Sequence, residues 1–248
     1  MDKMKIFIGT SGYNYRGWKG QFYPEDLPQK KWLEYYTTRF SAVEINNSFY
    51  VSVRSTTFAN WYLETPKDFS FIIKGHRFIT QLKKLNDVEE PVEFFFKNMV
   101  PLKEKVKVVL WQFPRNFSYS EEHFDRLQNF LKLLPQEIKH AFEFREEGWF
   151  QEKVCKLLDE NNSTLVISQS SKFPEIEMPG NRFVYIRFHG PRGLYSSGYT
   201  DEELSEWARK IKNYSKKTEV FAFFNNDSGG YATENAKKLS SLIEKYNF

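Results

Sequence analysis

"AFEFREEGWF", residues 141–150, alternates Phe142 and Phe144 with Glu143 and Arg145. Successive side chains of a β-strand point to opposite faces, so this stretch reads as a strand with one aromatic face and one charged face. In a buried strand the charged face has to open onto something polar. The mouth of a closed barrel is such a place, and the rest of the chain fits one.

Short β-branched and aromatic runs alternate with longer amphipathic ones, the pattern of repeated βα units and a parallel sheet. The strand candidates are residues 5–11, 42–49, 69–76, 106–113, 140–146, 163–170, 182–190 and 219–227. Residues 31–39, 55–64, 91–104, 121–133, 150–160, 201–214 and 231–246 place apolar side chains at helical spacing, with Lys or Glu opposite. The sixth connection, around "KFPEIEMPGN", is broken by Pro and Gly and reads as loop. Eight strands in 248 residues, nearly all followed by a helix, is the count and size of a TIM-like (β/α)8 barrel, an α/β fold forming one domain over residues 1–248.

Composition agrees. With 25 Phe, 14 Tyr and 6 Trp, burial relies on large flat side chains, which favours one continuous core. Thirty-six Lys and Arg against 32 Asp and Glu give a net charge of +4 spread along the chain, so anionic ligands fit while nucleic-acid binding is only weakly supported. The single Cys155 excludes an intramolecular disulfide and a thiolate zinc cluster. The N-terminal apolar run is too short for a signal peptide, and no segment approaches a membrane span. The expectation is a soluble, cytoplasmic protein without a membrane partner.

Each strand candidate turns polar at its C-terminal end, and a barrel gathers those ends on one rim. By alternation Glu44 shares a face with Asn46, Lys74 with His76, Glu143 with Arg145, and Arg187 with His189. Ile45, Phe144, Ile186 and Phe188 then face the helices, so the charged set points inward near the top, where sites of this fold are built. A buried Glu143–Arg145 ion pair is the structural alternative, in which case losing either partner costs about 3–5 kcal/mol. In a wet mouth the same loss is mild.

These residues also carry a family resemblance over nearly the whole chain. "IGTSGYNYRGWKGQFYPEDLP" (8–28), "FSAVEINNSFY" (40–50), Trp61 with "TPKDFSFIIKGHRFIT" (65–80), "QFP" (112–114), "AFEFREEGW" (141–149), "YIRFHGPRGLYSSGYT" (185–200) and "FAFFNNDSGGYATENA" (221–236) resemble the YecE-like family, domain of unknown function 72. The resemblance implies a TIM-barrel-like fold and no particular activity. The chain departs from the family pattern at Gln81, usually His, and at Lys84-Leu85, usually Arg-Leu.

Three functional classes follow. The first is an enzyme acting on a phosphate-bearing small molecule or nucleotide, with a phosphate site in the Gly-rich loops after strands seven and eight near Arg187 and Arg192. In this reading Arg145, Arg187 and Lys74 hold the anion, with His76 beside them. Glu143 and His189 lead as acid–base groups, with Glu44 and Asp227 as further carboxylates, and Asn46, Gln112 and Asn225 orient the substrate. The second is a carboxylate-based hydrolase of glycosidic or phosphodiester bonds using Glu44, Glu143 and Asp227, with Tyr13, Trp18 and Tyr195 flooring a sugar site. The third is a non-catalytic ligand- or partner-binding barrel presenting "YNYRGWKGQFYP", which alternatively folds down as a lid over its own barrel. A Schiff-base lyase using a deprotonated Lys74 belongs with the enzyme readings. Four His in all are too few for a trinuclear metal centre of a barrel nuclease, leaving at most one site from His76, Glu143, His189 and Asp227, and no metal is assigned; cofactor, reaction and oligomeric state are not encoded legibly.

Overall fold

Eight parallel strands form where the apolar pattern places them: β1 Ile6–Thr10, β2 Ala42–Ile45, β3 Ser70–Lys74, β4 Val106–Gln112, β5 Lys139–Glu143, β6 Ser163–Gln169, β7 Phe183–Phe188 and β8 Glu219–Phe224. These belong to a computed structural model that describes residues 6–245; Lys5 and Tyr246, the outer ends of two predicted elements, lie outside the described residues with the rest of the N-terminal run. Hydrogen bonding follows the order β1-β8-β7-β6-β5-β4-β3-β2. The barrel closes between β1 and β2 through a parallel bridge from Ser11 to Glu44, with Gly12 N donating to Glu44 O at 2.7 Å. Lower in this seam a phenol replaces the ladder: Thr10 N donates to Tyr36 Oη at 2.9 Å, and that hydroxyl donates to Ala42 O at 3.2 Å. Gly9 permits the approach, since a Cβ there would sit 2.2 Å from Ala42 O.

The helices are α1 Trp32–Thr37, α2 Asn47–Tyr50, α3 Ser55–Leu63, α4 Glu89–Met99, α5 Glu121–Leu133, α6 Glu152–Glu160, α7 Asp201–Ser215 and α8 Tyr231–Lys245. The β6–β7 connection has no helix, as its Pro and Gly predict. Strand ends differ from the sequence reading. Residues 47–49 turn into α2, because Ser48 Oγ binds Lys74 O at 2.7 Å and Asn-Asn-Ser is poor strand material. β5 stops at Glu143 and β8 at Phe224, so Arg145 and Asn225–Asp227 stand on the loops just above the sheet.

Two apolar layers fix the parity of every strand. Ile45, Phe144, Ile186 and Phe188 lie in the layer between sheet and helices. Phe7, Ile72, Leu110, Ala141, Tyr185 and Phe221 fill the barrel interior, with Phe7 and Phe221 stacked at 4.7 Å. Inward positions one step further along the strands are Glu44, Lys74, Gln112, Glu143, Ser168 and Arg187, all buried. The barrel therefore changes from hydrocarbon to charge within one layer.

Candidate active site

The floor of the mouth is a closed ionic network. Arg187 grips Glu44 with two bonds, Nε to Oε2 at 3.0 Å and Nη2 to Oε1 at 2.6 Å, and reaches Glu143 Oε2 through Nη1 at 2.7 Å. Tyr185 Oη donates to Glu44 Oε2 at 2.7 Å, and Ser168 Oγ to Glu143 Oε1 at 3.2 Å. His189 Nε2 completes Glu143 at 2.8 Å. Glu44, Glu143, Arg187 and His189 are each 0% exposed. Burial penalises both carboxylates, but the attraction of Arg187 together with their hydrogen bonds, His189 included at Glu143, outweighs it, holding Glu44 below its ordinary pKa and Glu143 well below. Burial dominates at His189 and pushes it down to about 4 despite Glu143. A neutral imidazole protonated at Nε2 fits its neighbours, because Asn225 Nδ2 then donates to Nδ1 at 3.2 Å.

Beside and above this floor the polar groups are only partly engaged. Lys74 Nζ donates to Gln112 Oε1 at 2.9 Å and lies 4.2 Å over the Phe49 ring, and no carboxylate pairs with it among the described residues. Burial, aided by repulsion from Arg187, lowers its pKa to about 7. Arg145 stacks on Phe173 at 4.1 Å and donates through Nη2 to Tyr195 Oη at 3.2 Å, while its buried Nε has no partner. Tyr195 takes a left-handed backbone, φ 63°, of the kind retained where the surroundings over-determine it. Asn46 Nδ2 donates to Ser11 O at 3.2 Å, leaving buried Oδ1 unpartnered. Half-buried Asp227 accepts Trp18 Nε1 at 2.6 Å, and burial raises it to about 6.

The family profile described as "Protein of unknown function DUF72" matches residues 7–247. The chain belongs to the DUF72 family. The UPF0759 protein YunF of Bacillus subtilis is 27% identical over 271 residues, covering 96% of this chain and 95% of YunF. A crystal structure of a DUF72 family protein from Thermotoga maritima is 30% identical with a TM-score of 0.86, covering 96% of this chain and 99% of that one. Another from Enterococcus faecalis, 22% identical with a TM-score of 0.83 over 97% of this chain and 96% of that one, shares the fold.

In this DUF72 barrel several sequence expectations require correction. Glu143 does not pair with Arg145; it pairs with Arg187 on β7 and with His189 just past the end of that strand. Arg187 is not placed to hold an external anion, because both carboxylates already claim its guanidinium. His76 leaves the lumen: its Nδ1 accepts Phe78 N at 3.2 Å, and its ring lines a cavity of ≈ 630 Å³ beside α2, α3 and α4. None of that cavity's lining residues holds a buried unpartnered polar atom, so it lacks the unmet demand seen in the mouth. Trp18 and Tyr13 do not floor a sugar site. Trp18 is 1% exposed between Tyr15, Phe22 and Tyr23, and Tyr13 Oη accepts Trp61 Nε1 at 3.1 Å. The aromatics of the 13–24 loop thus pack down on their own barrel rather than standing free.

The Gly-rich loops are also self-occupied. Arg192 binds Glu203 at 2.7 Å and Lys238 binds Asp201 at 2.7 Å, while Gly230, φ 76°, forms the turn into α8. Phe173 is the mouth residue that the sequence did not reveal, since nothing in a Pro-broken loop marks one aromatic as an arginine's stacking partner. At Gln81, Nε2 donates to Gln112 O at 2.7 Å, bracing the strand end that carries Lys74's partner. No cluster of three or more His, Cys, Asp or Glu among the described residues is placed to hold a metal ion, and none of the helices is long and apolar enough to cross a membrane.

Proposed function

We propose that the C-terminal mouth is the active site of an enzyme acting on a small phosphate-bearing molecule or nucleotide. Arg145 is the anion anchor, and Lys74 and Asp227 are the groups that exchange protons with the substrate, beside the Glu44–Arg187–Glu143–His189 floor. One observation carries this reading: Arg145 is a partly buried guanidinium without a carboxylate partner among the described residues, with Nε unpartnered. Guanidinium geometry suits bidentate recognition of phosphate. A two-carboxylate hydrolase fits less well, because Arg187 holds both Glu44 and Glu143 ionised and leaves neither as a proton donor.

The test is a thermal-shift screen of phosphate, sulfate, nucleotides and neutral sugars on wild type and Arg145→Met. A ligand at a hundredfold excess over its dissociation constant stabilises by about 2.7 kcal/mol. Anions should raise Tm of the wild type and lose that effect in the variant. Stabilisation by neutral sugars alone, or an anion effect that survives Arg145→Met, defeats the proposal.

A further inference from the structure

We infer that Lys74 is a covalent nucleophile and that the substrate is an anionic aldehyde or ketone, captured as an imine on Nζ with Arg145 holding its negative group. The inference rests on the active-site reading above and specifies its substrate class. Three observations carry it together. Lys74 occupies the C-terminal end of β3 in an inward position and is 6% exposed. The two carboxylates near enough to influence its charge, Glu143 and Glu44, are both claimed by Arg187, so neither forms an ion pair with it. Its nitrogen is instead held by one neutral acceptor, Gln112 Oε1, and by the face of Phe49, which fixes its position without tying up a charge.

A lysine buried in this way favours the free amine, the form that attacks carbonyl carbon. The pKa of about 7 agrees with that. In the step, the Nζ lone pair forms a C–N bond and the carbonyl π pair moves to oxygen. A proton passes from nitrogen to that oxygen, giving a carbinolamine. Loss of the hydroxyl, with the remaining nitrogen proton, as one water leaves the imine. Dehydration needs a proton supplied to the departing hydroxyl and recovered afterwards, and Asp227, whose carboxyl burial raises to about 6, is the group we assign to that exchange.

The experiment is reductive trapping of the full chain with sodium cyanoborohydride, using glyoxylate, glyceraldehyde 3-phosphate and neutral glyceraldehyde as probes. Adducts are mapped by peptide mass spectrometry. Labelling of Lys74 should exceed that of exposed Lys31 and Lys153 at least tenfold and rise with pH through about 7. Lys74→Met should abolish that adduct. Arg145→Met should slow the two anionic probes at least tenfold more than it slows glyceraldehyde, which reads any change in the amine itself.

Lys74 labelling no faster than that of the exposed lysines overturns the inference. If anions still raise Tm through Arg145 in that case, the active-site reading stands and only the imine chemistry falls. If Lys74 traps all three probes alike and Arg145→Met changes nothing, the nucleophile stands and the anionic substrate class falls.

Discussion

Arg187, on β7, and Arg145, just past the end of β5 two strands away, stand at the same end of the barrel in opposite circumstances. Arg187 is fully buried and saturated by two carboxylates. Arg145, one step nearer solvent, has an aromatic face, a tyrosine hydroxyl and an unpartnered Nε. The same side chain is a brace in one layer and an unmet demand in the next. The distinction comes from what neighbouring strands deliver at that height: β2 and β5 bring Glu44 and Glu143 to Arg187, whereas Arg145 meets the β6–β7 and β7–α7 loops.

The comparison breaks most sharply at Arg187. Arg187→Met strands two buried carboxylates, and urea unfolding should register a loss of about 3–5 kcal/mol or failure to fold. Replacing Glu44 and Glu143 by Leu in the same variant should recover much of that loss, because apolar side chains then fill a dry layer. Full recovery with unchanged anion response would separate brace from site cleanly.

Lys74, outside the Arg187 network, tests the mouth with the opposite sign. Its native pKa is lowered, so between about 7 and 10.5 the unfolded chain binds more protons and wild-type stability climbs with pH. Lys74→Met should therefore gain on wild type by a few kcal/mol as pH falls from 10.5 to about 7 and keep that gain below it. A pH-independent difference would place the lysine in water.

Glu143→Gln should cost about 1–2 kcal/mol in urea unfolding, since the amide oxygen replaces only part of what Arg187, His189 and Ser168 bind. A cost near zero would return Glu143 to the wet mouth expected from its alternation with Arg145. Arg145→Met should be the mildest, losing under about 1 kcal/mol with its stack on Phe173 while removing the anion response. A loss as large as that of Arg187→Met would make both arginines braces.

Much of this was legible in the chain. Strand count, helix positions and the inward parity of Glu44, Lys74, Glu143 and Arg187 follow from period-two and helical patterning, which are local properties of the backbone. Pairing was not legible. Alternation puts Glu143 and Arg145 on one face, yet it does not say which other strand supplies a partner, and Glu143 finds Arg187 and His189 at the end of β7. His76 was misplaced for a related reason: β3 ends at Lys74, and alternation carries no information beyond a strand's end.

The sequence by itself determined the barrel and which residues look into it, because hydrophobic periodicity is written residue by residue. Only the tertiary structure decided which charges cancel and which remain, since that depends on the stagger between strands and on loops such as the one bearing Phe173. Electrostatic energy falls with distance across the lumen, and no spacing along the chain records that distance.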